Sequence, residues 1–193
     1  MAVDAFIMFW SNDSNYQPVG ETTDDYFSKY SAFEIKDFSF DLENPTTLGS
    51  ATKGGGGGKA KFTEFNITKP TDSASAIFFR NCCSGMHYKK VVIAIRKAGG
   101  DASASGAPFL FFSFGTVFTT KVDWTGPGEE GPEEKISFAY AQFGIRYLPQ
   151  DAAGMLTSDP KIDVGWDQAK NTLWDEVTAS FPTGAGDFPA VPG

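Results

Sequence analysis

A run of five glycines, Gly54 to Gly58, is followed directly by Lys59. Backbone amides of a glycine-rich turn followed by a lysine can hold phosphate, so nucleotide binding is the first chemistry to consider. The pattern departs from a phosphate loop because Lys53 replaces the required glycine, Ala60 replaces the required serine or threonine, and a strand-like segment follows. The run therefore indicates a loop that is mobile or is ordered by a partner, and we expect Gly54 to Gly58 to be variable in a free subunit.

A second glycine pattern, GPGEEG at Gly126 to Gly131, matches the dinucleotide-binding motif G-x-G-x-x-G literally. Pro132 follows it, and two glutamates occupy the positions where a pyrophosphate would bind. The match indicates a turn-rich acidic loop. No cofactor is predicted from either glycine pattern.

The segment CCSGMH, Cys82 to His87, contains a thiol and an imidazole, which are the parts of a cysteine nucleophile and its base. The two cysteines are adjacent and His87 is the single histidine, so a disulfide framework and a Cys/His zinc site both lack residues. The segment is predicted at a helix C-terminus, which raises the pKa of a thiol. The pattern favours a packed structural cluster, with Cys82 facing the core, over a catalytic site.

Carboxylates and tryptophans suggest an alternative function, a carbohydrate-binding or hydrolytic β-domain. Many of the 24 acidic residues lie in polar runs that predict a solvated surface, namely Asp24-Asp25, Glu129-Glu130 and Glu133-Glu134. The candidate sugar-binding indoles are Trp10, Trp124, Trp166 and Trp174. Trp166 continues a strand pattern, which favours a core or interface position for it.

The composition limits the class of protein. A chain of 193 residues with 41% hydrophobic residues predicts one folded domain, and 21 glycines with 11 prolines predict many turns between strands. The formal charge of −8 opposes nucleic-acid binding, because that requires clustered lysines and arginines. The N-terminus MAVDAFIMFW carries Asp4 instead of a basic region and predicts a first strand. The sequence contains no apolar run of 18 residues, so no membrane-spanning helix is predicted.

Alternation of apolar and polar residues predicts seven strands. They are Val3 to Phe9, Phe33 to Phe40, Phe62 to Ile67, Val91 to Ile95, Pro108 to Phe118, Ile136 to Tyr147 and Ile162 to Trp166. The second and sixth change phase midway, which predicts bulges or bends, as in a small barrel whose strands pass between sheets. A second explanation is that strands apolar on both faces bury one face in the barrel and the other against a neighbouring subunit.

One segment, Thr71 to Cys83, has helical spacing, with Thr71 or Asp72 as N-cap, Ile77 and Phe78 on the packed face, and Gly85 at the end. Three other regions are predicted to be loose or inserted because they are rich in polar residues, glycine or proline. They are Ser11 to Tyr30, Thr125 to Glu134, and the surface tail Asp175 to Gly193.

Several motifs, taken in order, carry a resemblance to a known family. They are MAVDAFIMF, FEIKDFSF, KGGGGGKAKFTEFNITKPTD, CCSGMHY, VVIAIRKAGG, AYAQFGIRYLPQ and VGWDQAKN, and they span most of Met1 to Asn171. The most specific are IRKAGG at Ile95 to Gly100, SGMHY at Ser84 to Tyr88, and the glycine loop running into Phe62 to Asp72. In this order they resemble the haemolysin-coregulated protein (Hcp) family, the inner-tube subunit of type VI secretion systems.

The resemblance implies a mainly β fold, a compact β-barrel of two curved mixed sheets with one short α-helix at about residues 72–83 and a long protruding glycine-rich loop. Residues 1–174 would form a single Hcp-like domain, with 11–30 as an insertion and 44–59 as the protruding loop. Residues 175–193 would be a surface tail rich in proline and glycine.

The resemblance also implies a function without catalysis: six subunits form a ring, and rings stack into a secreted hollow tube. The implied partners are other copies of the chain, a spike protein, a contractile sheath and small effector proteins in the lumen. The subunit would be made in the bacterial cytoplasm and exported through the type VI apparatus without a signal peptide. Unpaired cysteines suit that reducing compartment.

Two sets of residues follow from the resemblance. The ring-stacking loop is expected at Leu48, Gly49, Lys53, Gly54, Gly55, Gly56, Gly57, Gly58 and Lys59. Structural motif residues are expected at Ser84, Gly85, His87, Tyr88, Arg96, Lys97, Gly99, Gly100, Tyr147, Gly165 and Trp166.

Overall fold

A computed structural model of the chain describes residues 3–47, 56–97, 108–128, 131–149, 157 and 162–181. The first strands in chain order are β1 (Val3–Ser11), β2 (Phe33–Glu34), β3 (Asp37–Ser39), β4 (Leu42–Glu43), β5 (Thr46–Thr47), β6 (Gly56–Gly57), β7 (Lys61–Phe62) and β8 (Phe65–Pro70). Helix α1 (Ser75–Ser84) follows, then β9 (His87–Lys97), β10 (Leu110–Gly128), β11 (Gly131–Tyr147), β12 (Ile162–Asp167), β13 (Thr172–Leu173) and helix α2 (Val177–Ser180). The prediction of a mainly β fold with one short α-helix before β9 is confirmed, and α2 is a second helix that was not predicted.

The main sheet runs in the order β13-β12-β11-β10-β9-β1-β2, with β8 pairing to both β11 and β3. Every pairing among the described residues is antiparallel, so the expected mixed sheets are wrong in this detail. Among the described residues, the pairings run round the barrel from β1 through β9, β10, β11 and β8. The circle is not closed by pairing, because no described strand pairs with both β1 and β8. The segment Phe33–Ser39 forms this corner: β2 pairs with β1, and β3 pairs with β8.

The two predicted phase changes correspond to bends in the barrel. At the corner, Ile35 donates its N–H to Ala5 of β1 and the next residue, Lys36, donates to Thr68 of β8. In the β10–β11 ladder the bend is marked by Thr116, which has a left-handed φ of 51°. The core-facing residues differ in parity on the two sides of this bend. Val117 and Tyr140 face the core on one side, and Phe114 and Phe143 face it on the other.

The inner core fills the barrel with aromatic and β-branched side chains. Phe65 stacks between Phe114 and Phe138, with ring centroids 4.2 and 4.6 Å apart. Helix α1 covers one end of this core with Phe78 and Ala74. Phe78 is fully buried, whereas Ile77 is half-buried. Burying this many aromatic rings supplies the main driving force for the fold.

Helix α1 begins three residues later than predicted. Ala74 is its N-cap and makes no side-chain capping bond. Asp72 instead accepts a hydrogen bond from the Ala74 N–H at 3.0 Å, and the Asp72 N–H donates to Ser75 Oγ at 3.0 Å. The predicted end is confirmed, because Gly85 adopts the left-handed φ of 67° that glycine accepts most readily.

A second core lies on the opposite, outer face of β1 and β9. It combines Phe6, Met8 and Trp10 of β1 and Val92 and Ala94 of β9 with residues that cover them. Four covering residues come from the segments predicted to be loose or superficial, namely Phe27, Tyr30, Val177 and Phe181, and Ala32 adds to them. The chain itself therefore supplies the apolar cover on the outer face of β1 and β9.

These contacts also correct two of the predicted loose regions. Phe27 is fully buried and its ring stacks on Phe6 at 4.0 Å, so Ser11 to Tyr30 is packed against the barrel. Residues 175–181 are not a surface tail, because Val177 and Phe181 are 7% and 2% exposed. Residues 182–193 of the predicted tail lie outside the described residues.

Candidate assembly surface

The predicted stacking loop is the end of a narrow arm that leaves the barrel after β3. Strand β4 pairs with β7, and β5 pairs with β6, so the two limbs form two short antiparallel ladders. Asp41 and Thr63 close the base through backbone and side-chain hydrogen bonds of 2.8 to 3.2 Å. Residues 41–46, 58 and 59 are exposed, including Leu42, while Phe62 at the base of the arm packs against the inner core.

Part of the glycine run is ordered by this chain. Gly56 and Gly57 pair with Thr47 and Thr46, and the Gly58 N–H donates to the Pro45 carbonyl at 3.0 Å. The expectation that Gly56 to Gly58 are variable in a free subunit is therefore wrong. Lys59 is exposed beside this ladder. The other predicted loop residues, Leu48, Gly49, Lys53, Gly54 and Gly55, lie outside the described residues.

The SGMHY motif joins α1 to β9. Ser84 is the last helical residue, Gly85 supplies the left-handed turn, and the His87 ring contacts Phe118 at 5.4 Å. Tyr88 is fully buried, and its hydroxyl bonds to Asn81 Nδ2 at 2.9 Å and to Thr119 Oγ1 at 3.0 Å. Burial raises the pKa of Tyr88 to about 12, against the opposing effect of these hydrogen bonds. The motif fixes the helix to the barrel.

The adjacent cysteines do not form a nucleophilic site. Cys82 is half-buried and Cys83 is exposed, and both are free thiols. Burial, with a smaller contribution from Cys83, raises the pKa of the Cys82 thiol, which lowers its thiolate fraction. The geometry agrees with the structural interpretation of this segment, although Cys82 is only partly core-facing.

The IRKAGG motif supplies a clamp between the barrel and the Ser11–Tyr30 segment. Arg96 Nη2 donates to Asp24 at 2.5 Å and Nε donates to Asp4 at 3.3 Å, while the guanidinium lies over the Phe6 and Phe27 rings. Burial alone raises the pKa of Asp24, but the bonds from the Phe27 N–H, Arg96 and the Tyr26 N–H outweigh it and leave the pKa below its usual value. Lys97 is half-buried, and Gly99 and Gly100 lie outside the described residues.

The VGW motif makes room for the α2 segment on one face of β12. Gly165 pairs with Gly144 of β11, and a Cβ at either position would lie within 2.7 Å of Val177 Cγ2. Beside this notch Arg146 binds Asp163 through two bonds of 2.7 and 2.8 Å and also donates to the Thr178 carbonyl. The two glycines and this ion pair dock α2 on the sheet.

The other face of the same strands presents exposed apolar side chains. Tyr147 pairs with Ile162, and Trp166 pairs with Leu173, so these side chains share one face with Val164. Tyr147, Ile162, Val164 and Leu173 are 42 to 59% exposed, and we call this set the wing face. Trp166 is half-buried at its inner end, and its Nε1 has no hydrogen-bond partner. The wing face is an apolar surface on the open edge of the sheet.

A buried charge cluster lies at the β10–β11 hairpin. Glu134 and Lys69 are almost completely buried and form an ion pair of 2.7 Å. Lys69 Nζ also binds Asp72 and the Pro70 carbonyl, and Glu134 accepts bonds from Ser75 Oγ and Trp124 Nε1. The prediction that the Glu133-Glu134 run is solvated is wrong for Glu134, because the hairpin strands extend to the turn and direct it inward. The apolar residues at alternate positions of β8 were the feature of the sequence that could have predicted a buried Lys69.

The alternative sugar-binding site has little geometric support. Trp10 is buried in the outer core, Trp174 is packed against that core, and Trp166 lies at the wing face. Trp124 is 51% exposed and is near the exposed ring of Phe79, but its Nε1 is bonded to Glu134. Trp10 and Trp174 therefore belong to the outer core, and the two other indoles lie at different places. Within the described residues there is no cluster of possible metal ligands, and no described helix has the length and hydropathy to cross a membrane.

Comparison with known proteins gives a consistent result. A family model described as type VI secretion system effector, Hcp, matches residues 11–147, a range that includes the segment predicted as an insertion. Protein hcp1 of Pseudomonas aeruginosa is 29% identical over 114 residues, which cover 58% of this chain and 68% of that protein.

Solved structures agree with the family match. A structure of a type six secretion system protein superimposes with a TM-score of 0.76 at 28% identity, covering 90% of this chain and 100% of that chain. Hcp1 from Salmonella typhimurium has a TM-score of 0.66 at 22% identity, with 90% and 100% coverage, and this likeness concerns the fold. Because the family model spans most of the barrel strands and the motifs that fix α1, the chain belongs to the Hcp family of type VI secretion tube proteins.

Proposed function

We propose that this chain is a structural subunit that forms six-membered rings, and that the rings stack into a hollow tube exported by a type VI secretion system. The subunit acts without catalysis or a cofactor. Its partners are copies of itself, the spike protein, the contractile sheath and small effector proteins held in the lumen. It is made in the cytoplasm and leaves the cell through the apparatus.

The observation that carries this proposal is the exposed arm between β3 and β8. Its limbs pair only with each other, and residues 41–46 are exposed although Leu42 is apolar. Of the arm residues that the structure describes, Phe62 at the base packs against the inner core, whereas residues 41–46 are exposed and suited to contact another molecule. In a stack of rings this exposed part of the arm contributes the axial contact.

The wing face supports a second, lateral contact. A ring requires two different complementary surfaces on each subunit. The α2 segment covers one face of β12, whereas Val164, Ile162 and Leu173 are exposed on the other. The proposed occupant of the wing face is the neighbouring subunit of the same ring, because a closed ring of identical subunits covers this apolar surface in every copy.

The two contacts are tested separately by electron microscopy and native mass spectrometry of the purified chain. Deletion of Gly54 to Gly58 is expected to leave six-membered rings but to reduce stacking, because the barrel does not depend on the arm. Loss of the folded monomer on that deletion would show that the arm is needed within the subunit. A wild-type chain that remains monomeric at high micromolar concentration contradicts the proposed function.

The lateral contact has a matched pair of variants. Val164→Glu places a carboxylate on the wing face and is expected to abolish rings, whereas Val19→Glu has similar exposure, 52% against 53%, and is expected to retain them. Circular dichroism checks that both variants fold. Rings in both variants, or in neither, would exclude the wing face as the specific lateral contact.

A further inference from the structure

Phe79 and Trp124 form an exposed aromatic pair where α1 meets the β10–β11 hairpin. Their ring centroids are 6.2 Å apart with the ring planes tilted by 45°, and the two residues are 54% and 51% exposed. Phe79 lies on an outward stripe of α1 together with Ala76 and Cys83, which are also exposed. Isolated exposed apolar side chains are ordinary on protein surfaces, but here two rings are adjacent. We call this pair of rings the aromatic cleft.

Buried polar groups hold the Trp124 indole in its exposed position. Its Nε1 donates to Glu134 at 3.0 Å, and the fully buried Glu134 accepts a bond from Ser75 Oγ at 2.9 Å and pairs with Lys69. Because Ser75 belongs to α1, the same carboxylate connects the helix that carries Phe79 to the hairpin that carries Trp124. The aromatic cleft is therefore formed before any partner binds, which lowers the entropic cost of binding.

The sequence contains a segment whose chemistry suits such a cleft. Residues Pro189 to Pro192 have the sequence PAVP, which is the only P-x-x-P pattern in the chain. Segments of this pattern favour the extended polyproline II conformation and bind clefts lined by exposed aromatic rings. The fixed φ of proline reduces the conformational entropy that is lost on binding. The chain therefore carries both an aromatic cleft and a ligand of matching chemistry.

The tail of the same copy is poorly placed to reach this cleft. Phe181, the last described residue, packs on the outer face of the sheet against Phe111 and the guanidinium of Arg146. Phe111 is near the start of β10 and Trp124 is near its end, on the order of 40 Å apart along the strand. An extended chain from Phe181 to Pro189 spans at most about 30 Å and would also have to pass round to the side of the sheet that α1 covers. The tail therefore fits the aromatic cleft of a second copy.

We propose that the aromatic cleft binds the P-x-x-P segment, Pro189 to Pro192, of a second copy of this chain and so joins the two copies end to end. The prolines pack against the Phe79 and Trp124 rings, and the contact removes these apolar rings from water. This contact is separate from those of the arm and the wing face, and it does not require a ring. The inference therefore goes beyond the proposed function.

Cys83 allows a direct test, because it lies four residues after Phe79 on the same exposed stripe of α1. Val191→Cys adds a thiol at a variable position of the P-x-x-P segment in the full chain. Isotope-labelled and unlabelled protein are mixed in equal amounts, oxidised with diamide and digested, and peptides that link Cys83 to position 191 are quantified by mass spectrometry. We expect linked peptides with one labelled and one unlabelled partner. Links within single copies only, or no link between these positions, overturn the proposal.

Two matched variants in the Val191→Cys chain separate docking from chance collisions of the tail. Pro189→Ala combined with Pro192→Ala keeps the tail and its thiol but removes the P-x-x-P pattern. Phe79→Ala removes one ring of the aromatic cleft and keeps Cys83, and circular dichroism checks that it folds. Each change is expected to lower the yield of the mixed link about tenfold. An unchanged yield in either variant overturns the proposal.

Electron microscopy of the same samples distinguishes this inference from the proposed function. Intact rings without the mixed link overturn the contact at the aromatic cleft alone. The mixed link in samples without rings supports the contact at the aromatic cleft and contradicts the six-membered ring.

Discussion

The two faces of the strands β1 and β9 differ in how they are covered. The inner face packs Ile7, Phe9 and Val91 against other strands of the barrel and against α1. The outer face packs Phe6, Met8 and Val92 under two irregular segments, one centred on Phe27 and the other on α2. The inner cover is made of regular elements. The outer cover is made of short turns that are fixed to the sheet by side-chain anchors.

The anchors of the two faces differ as well. The inner side uses Lys69 and Glu134, whose side chains are 1% and 0% exposed. Both form hydrogen bonds with other groups of the protein. The outer side uses Arg96 and Asp24, which are 17% and 15% exposed. A segment of low regularity can therefore complete a core if a few aromatic rings and an ion pair fix it. The following changes test whether the two faces contribute equally.

The largest expected effects come from removing one ring on each face. Phe27→Ala and Phe78→Ala each delete a fully buried phenyl ring, so each is expected to lower the free energy of unfolding by about 3–5 kcal/mol. Phe79→Ala is the control, because Phe79 is 54% exposed and its loss is expected to cost less than about 1 kcal/mol. Urea unfolding measures all three. A loss at Phe27 as small as at Phe79 would show that the outer cover is not a true core.

The next effect concerns the inner ion pair. Glu134→Gln removes one of the two carboxylates that bind the buried Lys69, the other being Asp72, and is expected to cost about 3 kcal/mol. Glu133→Gln removes an exposed partner of Lys36 and is expected to cost at most about 1 kcal/mol. The same urea titrations compare the two neighbours. Equal losses would contradict the inward position of Glu134.

The smallest effect concerns the outer anchor and depends on pH. Asp24→Asn weakens the bonds to Arg96 and is expected to cost about 1–2 kcal/mol at neutral pH. Because the folded pKa of Asp24 lies below its ordinary value of 3.8, the unfolded chain binds the proton more readily. The stabilisation is therefore present above about pH 4 and is lost as the pH falls through the folded pKa. A difference between wild type and variant that does not shrink in acid would argue against this ion pair.

The elements with strong local patterns could be predicted from the sequence. Each of the seven predicted strands overlaps a strand of the structure, and Gly85 ends α1 as its residue type requires. Strands β10 and β11 are longer than predicted, because they continue as a paired hairpin through residues with little alternation, whereas the predicted strand Phe33 to Phe40 is divided into β2 and β3. The motif residues Tyr88, Arg96 and Gly165 were identified by resemblance, but their contacts with Thr119, Asp24 and Val177 are long-range and leave no local pattern.

Composition and alternation by themselves determined a β-rich fold and the helix before β9, and the ordered motifs carried the resemblance to a known family. The tertiary structure decided which of two adjacent glutamates is buried, what covers the outer face of β1 and β9, and where apolar surface is left exposed. The physical reason is that alternation specifies which side chains share a face of a strand. It does not specify what packs on that face, because the partners, such as Phe27 on Phe6 and Val177 on Gly165, are brought together only when the whole chain folds.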